Sequence, residues 1–318
     1  MNMNISEIFP IICALYVSAI YAYTTLVFAP IAKNTSWAAI SIFRAGFALP
    51  MFIIWGFLAN SVPGGGGFAD VTWKSVGYLT VGCICTQGLA DGLVLMAANK
   101  VGVATSLTIS AIYPLWVALI NYFLKIEGEK ELLLHHWIGL LLTLIGIAGI
   151  IYSKPTNSKN NKINKEINKE INREIKKDTT VGYALSIIVS ILWAISTYGI
   201  AYGSKGLNVG VANTIRLSLT LIIAPLFALI LGTPYRQLLL PTKIMISIWL
   251  PILLGTIGFA AYIYSMTNGP IVVISTLSSI APLFAVLIAY VIGKEKISLK
   301  RFFYIFITCF GAILLSIK

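Results

Sequence analysis

The 318-residue sequence predicts an all-α membrane protein whose ten transmembrane helices form two inverted five-helix repeats. Three observations predict this fold class. Hydrophobic residues make up 58% of the chain and charged residues only 11%, whereas soluble domains are about 25% charged. The apolar residues fall into ten blocks of roughly 20, the length that crosses a bilayer core as a helix. The second half of the chain also weakly repeats the first.

Each apolar block is predicted to be a helix, because lipid offers backbone polar groups no hydrogen-bond partner and the blocks lack the alternation of barrel strands. No Lys or Arg precedes the first block, so we expect it to be retained rather than cleaved as a signal peptide. The ten blocks are Ile8–Phe28, Trp37–Leu58, Lys74–Ala97, Val103–Phe123, Leu134–Tyr152, Thr180–Tyr202, Asn208–Leu231, Ile244–Thr267, Ile271–Ile292 and Arg301–Ile317.

The internal repeat is visible in two registers. With an offset of 172 residues Arg44 aligns with Arg216, and with an offset of 168 Pro114 aligns with Pro282. Each copy holds five blocks. Because an odd number of crossings leaves the chain on the opposite side of the membrane, the second copy must be inverted. Inverted repeats recur among secondary transporters, which bind substrate near the midplane between the two copies.

A basic, low-complexity linker separates the copies. Residues 154–178 hold eight Lys or Arg and four Asp or Glu in an Ile-Asn-Lys-Glu pattern, so the predicted divisions are 1–153, 154–178 and 179–318. Loops after odd-numbered blocks hold 16 Lys or Arg against five on the other side, or eight against five without the linker. The positive-inside rule thus predicts a cytoplasmic linker and external termini, in a plasma or inner membrane.

Several short motifs resemble a known family. They are Ala97-Ala98-Asn99-Lys100-Val101-Gly102, then Pro114, Glu127, Gly139, Gly146 and Gly149, with Asn268-Gly269, Pro282, Glu295 and Gly311 in the second copy. This pattern resembles the EamA-type repeat of the drug/metabolite transporter superfamily. The resemblance implies a ten-helix basket around a central cavity, alternating access, and export or exchange of small metabolites. Family members are often described with both termini cytoplasmic, which conflicts with the charge count.

Arg44 and Arg216 are candidate substrate-binding residues, because a cation within a span costs at least about 2.5 kcal/mol and needs compensation. The pair could present positive potential to an anionic group. Alternatively, each side chain snorkels to the nearby interface. Asp91 has no acidic counterpart, since Phe259 aligns with it. It could be a protonation site for proton coupling, because desolvation disfavours the carboxylate, or it neutralises Arg44, or it lies among headgroups.

Further candidates lie in the middle of the spans. Pro114 and Pro282 are predicted to kink their helices and to free the carbonyls of Ser110 and Ser278. These serines are candidate substrate contacts, if the kinked helices line a cavity. The alternative is that the prolines only bend the helices. The aromatic residues Tyr21 and Trp193 are also candidates, with core packing as the alternative.

The favoured function is a secondary carrier for a small anionic or zwitterionic metabolite, such as an amino acid or a related compound. The alternative is a membrane receptor or channel without carrier activity. An enzyme is disfavoured, since the histidines, His135 and His136, are adjacent at a block edge and no metal or nucleophile motif is present. The expected partners are the lipid bilayer, the substrate, and a coupling proton or counter-substrate. We expect no nucleic acid, cofactor or metal.

Overall fold

The computed structural model describes residues 5–59, 66–124, 133–153, 167–291 and 298–316. All regular structure in these ranges is helical. Fourteen α-helices are present: α1 (Ile5–Ile31), α2 (Trp37–Ala59), α3 (Trp73–Cys83), α4 (Asp91–Val101), α5 (Val103–Ser110), α6 (Tyr113–Leu124), α7 (Leu134–Tyr152), α8 (Ile167–Ser204), α9 (Val209–Ile230), α10 (Thr242–Ser247), α11 (Trp249–Asn268), α12 (Ile271–Ser278), α13 (Ala281–Val291) and α14 (Leu299–Ser316). A π-helix, Ile84–Ala90, joins α3 to α4.

The predicted multi-helix membrane fold is confirmed. Eight helical stretches of the described chain are long and apolar enough to cross a membrane. Two shorter apolar stretches, Trp137–Gly146 and Phe302–Gly311, lie within α7 and α14. Each predicted block therefore corresponds to one of these ten stretches. The fourth and ninth blocks are each divided between two helices, α5 with α6 and α12 with α13.

The helix of the sixth predicted block, α8, differs most from its predicted bounds. We predicted a start at Thr180, but α8 begins at Ile167 and includes the last part of the predicted linker. Residues 154–166 of the linker, and also Glu127 and Glu295, lie outside the described residues. Asp178 is the first residue of the apolar stretch of α8. Its carboxylate forms a salt bridge of 2.5 Å with the Lys100 ammonium. This contact places the end of α4 and the start of the α8 span at one face of the bundle, here called the linker face.

Helix packing reflects the inverted duplication. α2 packs against its counterpart α9, and α7 against its counterpart α14. Both pairs are antiparallel, as an inverted repeat requires. Near the end of α2, Gly56 meets Gly210 at the start of α9. At the other end of the pair, Ala38 packs with Ala224 and Ala228.

The other close pairs obey the same symmetry. α1 packs against α11, and α8 packs against α3 and α4. Since α8 is the counterpart of α1, and α11 the counterpart of α3 and α4, exchanging the two repeats converts one pair into the other.

The N-terminal caps also repeat. Ser36 accepts a hydrogen bond from the Ala38 N–H (3.2 Å) and Asn208 accepts one from the Val211 N–H (2.9 Å), in the 172-residue register of the arginines.

The fourth helix of each repeat is interrupted rather than kinked. Pro114 and Pro282 are the second residues of α6 and α13, where a missing backbone N–H removes no helical hydrogen bond. The preceding helices end at Ser110 and Ser278. We predicted a continuous helix bent at proline. Instead the chain restarts the helix at the proline, which leaves a break in mid-membrane as in many transporters.

A layer of buried apolar side chains lies in the linker-side half of the bundle. It is here called the linker-side layer, and it includes Phe28, Ile40, Leu95, Ile248 and Ile252. These residues come from the ends of α1 and α4 and the starts of α2 and α11, with Ile248 just before α11. All five side chains are buried. The layer therefore packs both repeats together at one face.

The glycines between α3 and α8 should be sensitive to a single added methyl group. A Cβ at Gly199 would lie 2.8 Å from the backbone of Gly82 and of Tyr78, whereas one at Gly77, also on this helix pair, would meet nothing. We expect Gly199→Ala to destabilise the protein by about 1–3 kcal/mol through overpacking. Gly77→Ala should leave stability unchanged or slightly raised. Thermal unfolding in detergent measures both, and equal melting temperatures would contradict the described contact.

Candidate functional site

A central cavity lies between the two repeats. It has about 850 Å³ of empty space, including its opening to solvent. Helices of both repeats contribute to it. The lining residues are Val17, Ile20, Tyr21, Thr24, Arg44, Thr86, Gln87, Asp91, Tyr113, Trp193, Thr197, Ile200, Arg216, Gly255, Gly258, Phe259, Tyr262 and Ser278.

Arg44 and Asp91 form an ion pair at the cavity wall. The Arg44 Nη1 and Asp91 Oδ2 atoms are 3.6 Å apart, and the side chains are 17% and 15% exposed. The Arg44 guanidinium also lies over the Phe28 ring, 5.6 Å from its centroid. Asp91 thus lies where it can neutralise Arg44, one of the three roles that the sequence left open. Both side chains line the cavity instead of extending to a helix end.

Arg216 occupies the related position in the second repeat but has a different environment. It is 5% exposed, and no carboxylate of the described residues lies within 4 Å of it. Its Nη1 donates a long hydrogen bond of 3.4 Å to the Asn213 side-chain oxygen. Its buried Nε has no hydrogen-bond partner among the described residues. The site therefore contains a buried cation with unused donor capacity, which is costly unless a ligand completes it.

Phe259 connects the two arginines. The Arg44 guanidinium carbon lies 5.1 Å from its ring centroid and that of Arg216 lies 5.0 Å from it. Tyr262, one turn further along α11, also lies under Arg216 at 5.6 Å. The negative face of an aromatic ring attracts a cation, and this attraction is stronger away from water. A single ring therefore helps to hold two like charges near each other in the membrane.

An aromatic cluster forms another part of the cavity wall. The Trp193 ring of α8 meets Tyr21 of α1 edge to face at 5.3 Å and Tyr113 of α6 at 5.7 Å. The Tyr113 hydroxyl donates to the carbonyl of Ser275 in α12. Tyr21 and Trp193 therefore lie at the cavity as well as in packing contacts. The cluster gives the cavity a largely apolar surface with a few polar positions.

The two candidate serines lie in different places. Ser278 lines the cavity at the end of α12. Ser110 lies elsewhere, fully buried, and its hydroxyl donates to the Ser186 carbonyl of α8 at 3.1 Å. Ser110 therefore joins α5 to α8, and the structure gives it a packing contact where we predicted a substrate contact. The repeat symmetry of the backbone does not extend to the roles of these side chains.

Several cavity residues were not identified from the sequence. Thr86 and Gln87 lie in the π-helix, where the Thr86 hydroxyl donates to the Gly82 carbonyl at 2.9 Å and contacts the Gln87 amide oxygen. A polar Gln-Gly pair in mid-span was a possible signal, since π-turns often occur at functional sites. Tyr113 and Tyr262 are mid-span aromatics like Tyr21. No sequence signal distinguished them from packing residues.

The described helices form a membrane protein with inverted helical repeats around a central cavity. Residues 180–317 match the model of the EamA-like transporter family. Residues 180–317 therefore form an EamA-type repeat of the drug/metabolite transporter superfamily. A crystal structure of another protein has the same fold, with a TM-score of 0.61 and 19% identity over 95% of this chain and 94% of that one. A search of curated proteins found no match.

Within the described residues, no three His, Cys, Asp or Glu side chains cluster as metal ligands.

The ion pair should show energetic coupling. Asp91→Asn alone leaves Arg44 without its carboxylate, and Arg44→Gln alone leaves Asp91 without its cation, so each should lower stability. The double variant removes both charges and should be more stable than the sum of the single effects implies, by about 1–3 kcal/mol. Thermal unfolding in detergent of the four proteins gives this coupling. Purely additive effects would mean that the pair contributes no interaction.

Proposed function

We propose that this protein is a secondary carrier for a small anionic or zwitterionic organic metabolite, which binds in the central cavity and crosses the membrane by alternating access. Export or exchange is the expected mode. The observation that carries the proposal is the buried Arg216 guanidinium, which lines the cavity and has no carboxylate within 4 Å among the described residues. A ligand carboxylate would satisfy its donors in a geometry that suits the planar guanidinium fork.

The surroundings of Arg216 support an organic ligand. The cavity wall also includes the aromatic side chains of Tyr21, Trp193 and Tyr113. Ligand sites of this kind bind the apolar body by burial and use a few polar groups to fix orientation. A small inorganic anion would leave most of the aromatic surface and volume without contacts.

A carrier is favoured over a channel or receptor by the packing at the linker face. The linker-side layer, with Phe28, Ile40 and Ile252, is buried and lies between the arginines and that face. A channel needs a continuous polar path, whereas a carrier needs a site closed toward one side at a time. The inverted repeats supply two halves that can exchange these roles.

Asp91 is the proposed coupling group, with a proton or a counter-substrate as the coupled species. Its carboxylate holds Arg44 at 3.6 Å. Protonation would remove the negative partner of this pair and raise the positive potential of the cavity. Proton binding and anion binding would then favour each other at one site.

For orientation, we propose that the linker lies in the cytoplasm and that the carrier resides in the plasma or inner membrane. The eight basic residues of the linker favour this side. The salt bridge between Lys100 and Asp178 indicates that the end of α4 lies at the same face as the linker.

Transport should depend on Arg216. In proteoliposomes tested by uptake or counterflow with a panel of organic anions and amino acids, Arg216→Gln should reduce transport of the best substrate at least about tenfold. The reason is the loss of a charge-assisted contact of about 1.5–3 kcal/mol. Arg44→Gln should also reduce transport, since it removes the ion pair with Asp91 and one of the two cations on the Phe259 ring.

A matched control is Arg236→Gln. Arg236 is exposed, lies after α9 and stacks on Tyr235 outside the cavity, so transport should remain at the wild-type rate. Full activity of Arg216→Gln and Arg44→Gln on every transported compound would exclude the cavity as an anion site.

Membrane orientation can be tested by labelling single cysteines in intact cells with an impermeant thiol reagent. In a background without the four native cysteines, Ser158→Cys in the linker should remain unlabelled. Lys205→Cys, exposed between α8 and α9 at the opposite face, should be labelled. The reverse pattern would place the linker outside the cell.

A further inference from the structure

The two arginines are related by the repeat, but their charge environments are not. Arg44 faces a carboxylate, Asp91, at 3.6 Å. Arg216 faces the ring of Phe259 at 5.0 Å, and Phe259 is the residue that aligns with Asp91 in the 168-residue register. The second repeat therefore has an aromatic ring where the first has a negative charge. A symmetric site would contain either two carboxylates or none.

This asymmetry determines the charge of the cavity. Its charged lining residues are Arg44, Asp91 and Arg216, so with Asp91 ionised the lining carries a formal charge of +1. In a medium of low dielectric constant, a bound ligand that leaves the site uncharged avoids a large electrostatic cost. A ligand with one negative charge meets this condition. A zwitterion would leave the charge of +1, and a dianion would leave a charge of −1.

The position of the uncompensated charge is also defined. Arg216 is 5% exposed, its Nε has no hydrogen-bond partner among the described residues, and its Nη1 contact to Asn213 is 3.4 Å long. The Asn213 amide nitrogen is already engaged, donating to the carbonyls of Val209 and Phe259. The donors of Arg216 thus remain available to an acceptor in the cavity.

We infer that the ligand of this cavity is an organic monoanion, with one carboxylate at Arg216 and an uncharged, apolar body against the aromatic wall, and that Asp91 is the residue that disfavours dianions. This inference rests on the proposed function and narrows it. Asp91 acts by cancelling the charge of Arg44, so one of the two arginines remains available to the ligand.

The test compares two flat probes that differ by one charge, benzoate and terephthalate, at pH 7.5. Their binding to the purified protein in detergent is measured by titration calorimetry. We expect the wild type to prefer benzoate. Asp91→Asn raises the lining charge to +2 and should shift the affinity ratio toward terephthalate by about tenfold or more.

Two further variants separate charge from local damage. Arg44→Gln combined with Asp91→Asn returns the lining charge to +1, so the preference for benzoate should return. Asp91→Glu keeps the charge and should keep the wild-type preference. An affinity ratio that is the same in the wild type, Asp91→Asn and the double variant would overturn the inference.

Failure of the inference is distinguishable from failure of the proposed function. If the wild type transports a zwitterion or dianion from the panel but does not bind benzoate, the monoanion inference is wrong and the carrier function stands. If no panel compound is transported and neither probe binds, both are wrong.

Discussion

The burial of two guanidinium groups within a membrane-spanning bundle is the constraint on which the site depends. Neither Arg44 nor Arg216 can be left in hydrocarbon without compensation. The bundle supplies one carboxylate, Asp91, and one shared ring, Phe259, about 5 Å from both cations. This compensation requires residues of both repeats to meet at one place. The antiparallel packing of α2 on α9, with Gly56 against Gly210, brings the two arginine-bearing helices together.

Much of the fold could be predicted from the sequence because the bilayer imposes a length and a composition on each span. The arginine and proline registers also predicted the duplication, which the antiparallel helix pairs reflect. The start of α8 could not be predicted in this way, because the residues before Thr180 form no apolar block. The interruptions before Pro114 and Pro282 were only partly foreseen, since proline is compatible with a kink as well as with the start of a new helix.

The site could be predicted less well than the fold, and particular residues show why. Arg44, Arg216 and Asp91 were recognisable because charge is rare and costly in a span. Ser110 and Ser278 have equivalent sequence positions, yet one hydroxyl binds the Ser186 carbonyl and the other residue lines the cavity. In the sequence, Phe259 was noted only as the non-acidic residue that aligns with Asp91. Its contact with both cations depends on a crossing of helices from two repeats, which no local pattern specifies.

The third helices of the two repeats differ in both backbone and charge. In the first repeat this helix includes the π-helix Ile84–Ala90 and ends in α4 with Asp91 at its start, whereas its counterpart α11 is a regular α-helix with Phe259. A π-turn changes the direction in which the neighbouring side chains point. Here Thr86 and Gln87 lie within the π-helix and Asp91 follows it, and all three line the cavity. If the two halves exchange conformations, as the proposed carrier mechanism requires, the exchanged states are similar in backbone but unequal in charge. In the proposed mechanism, a pair of Arg44 and Asp91 kept in both states would leave the state-dependent electrostatic work to Arg216 and its ligand.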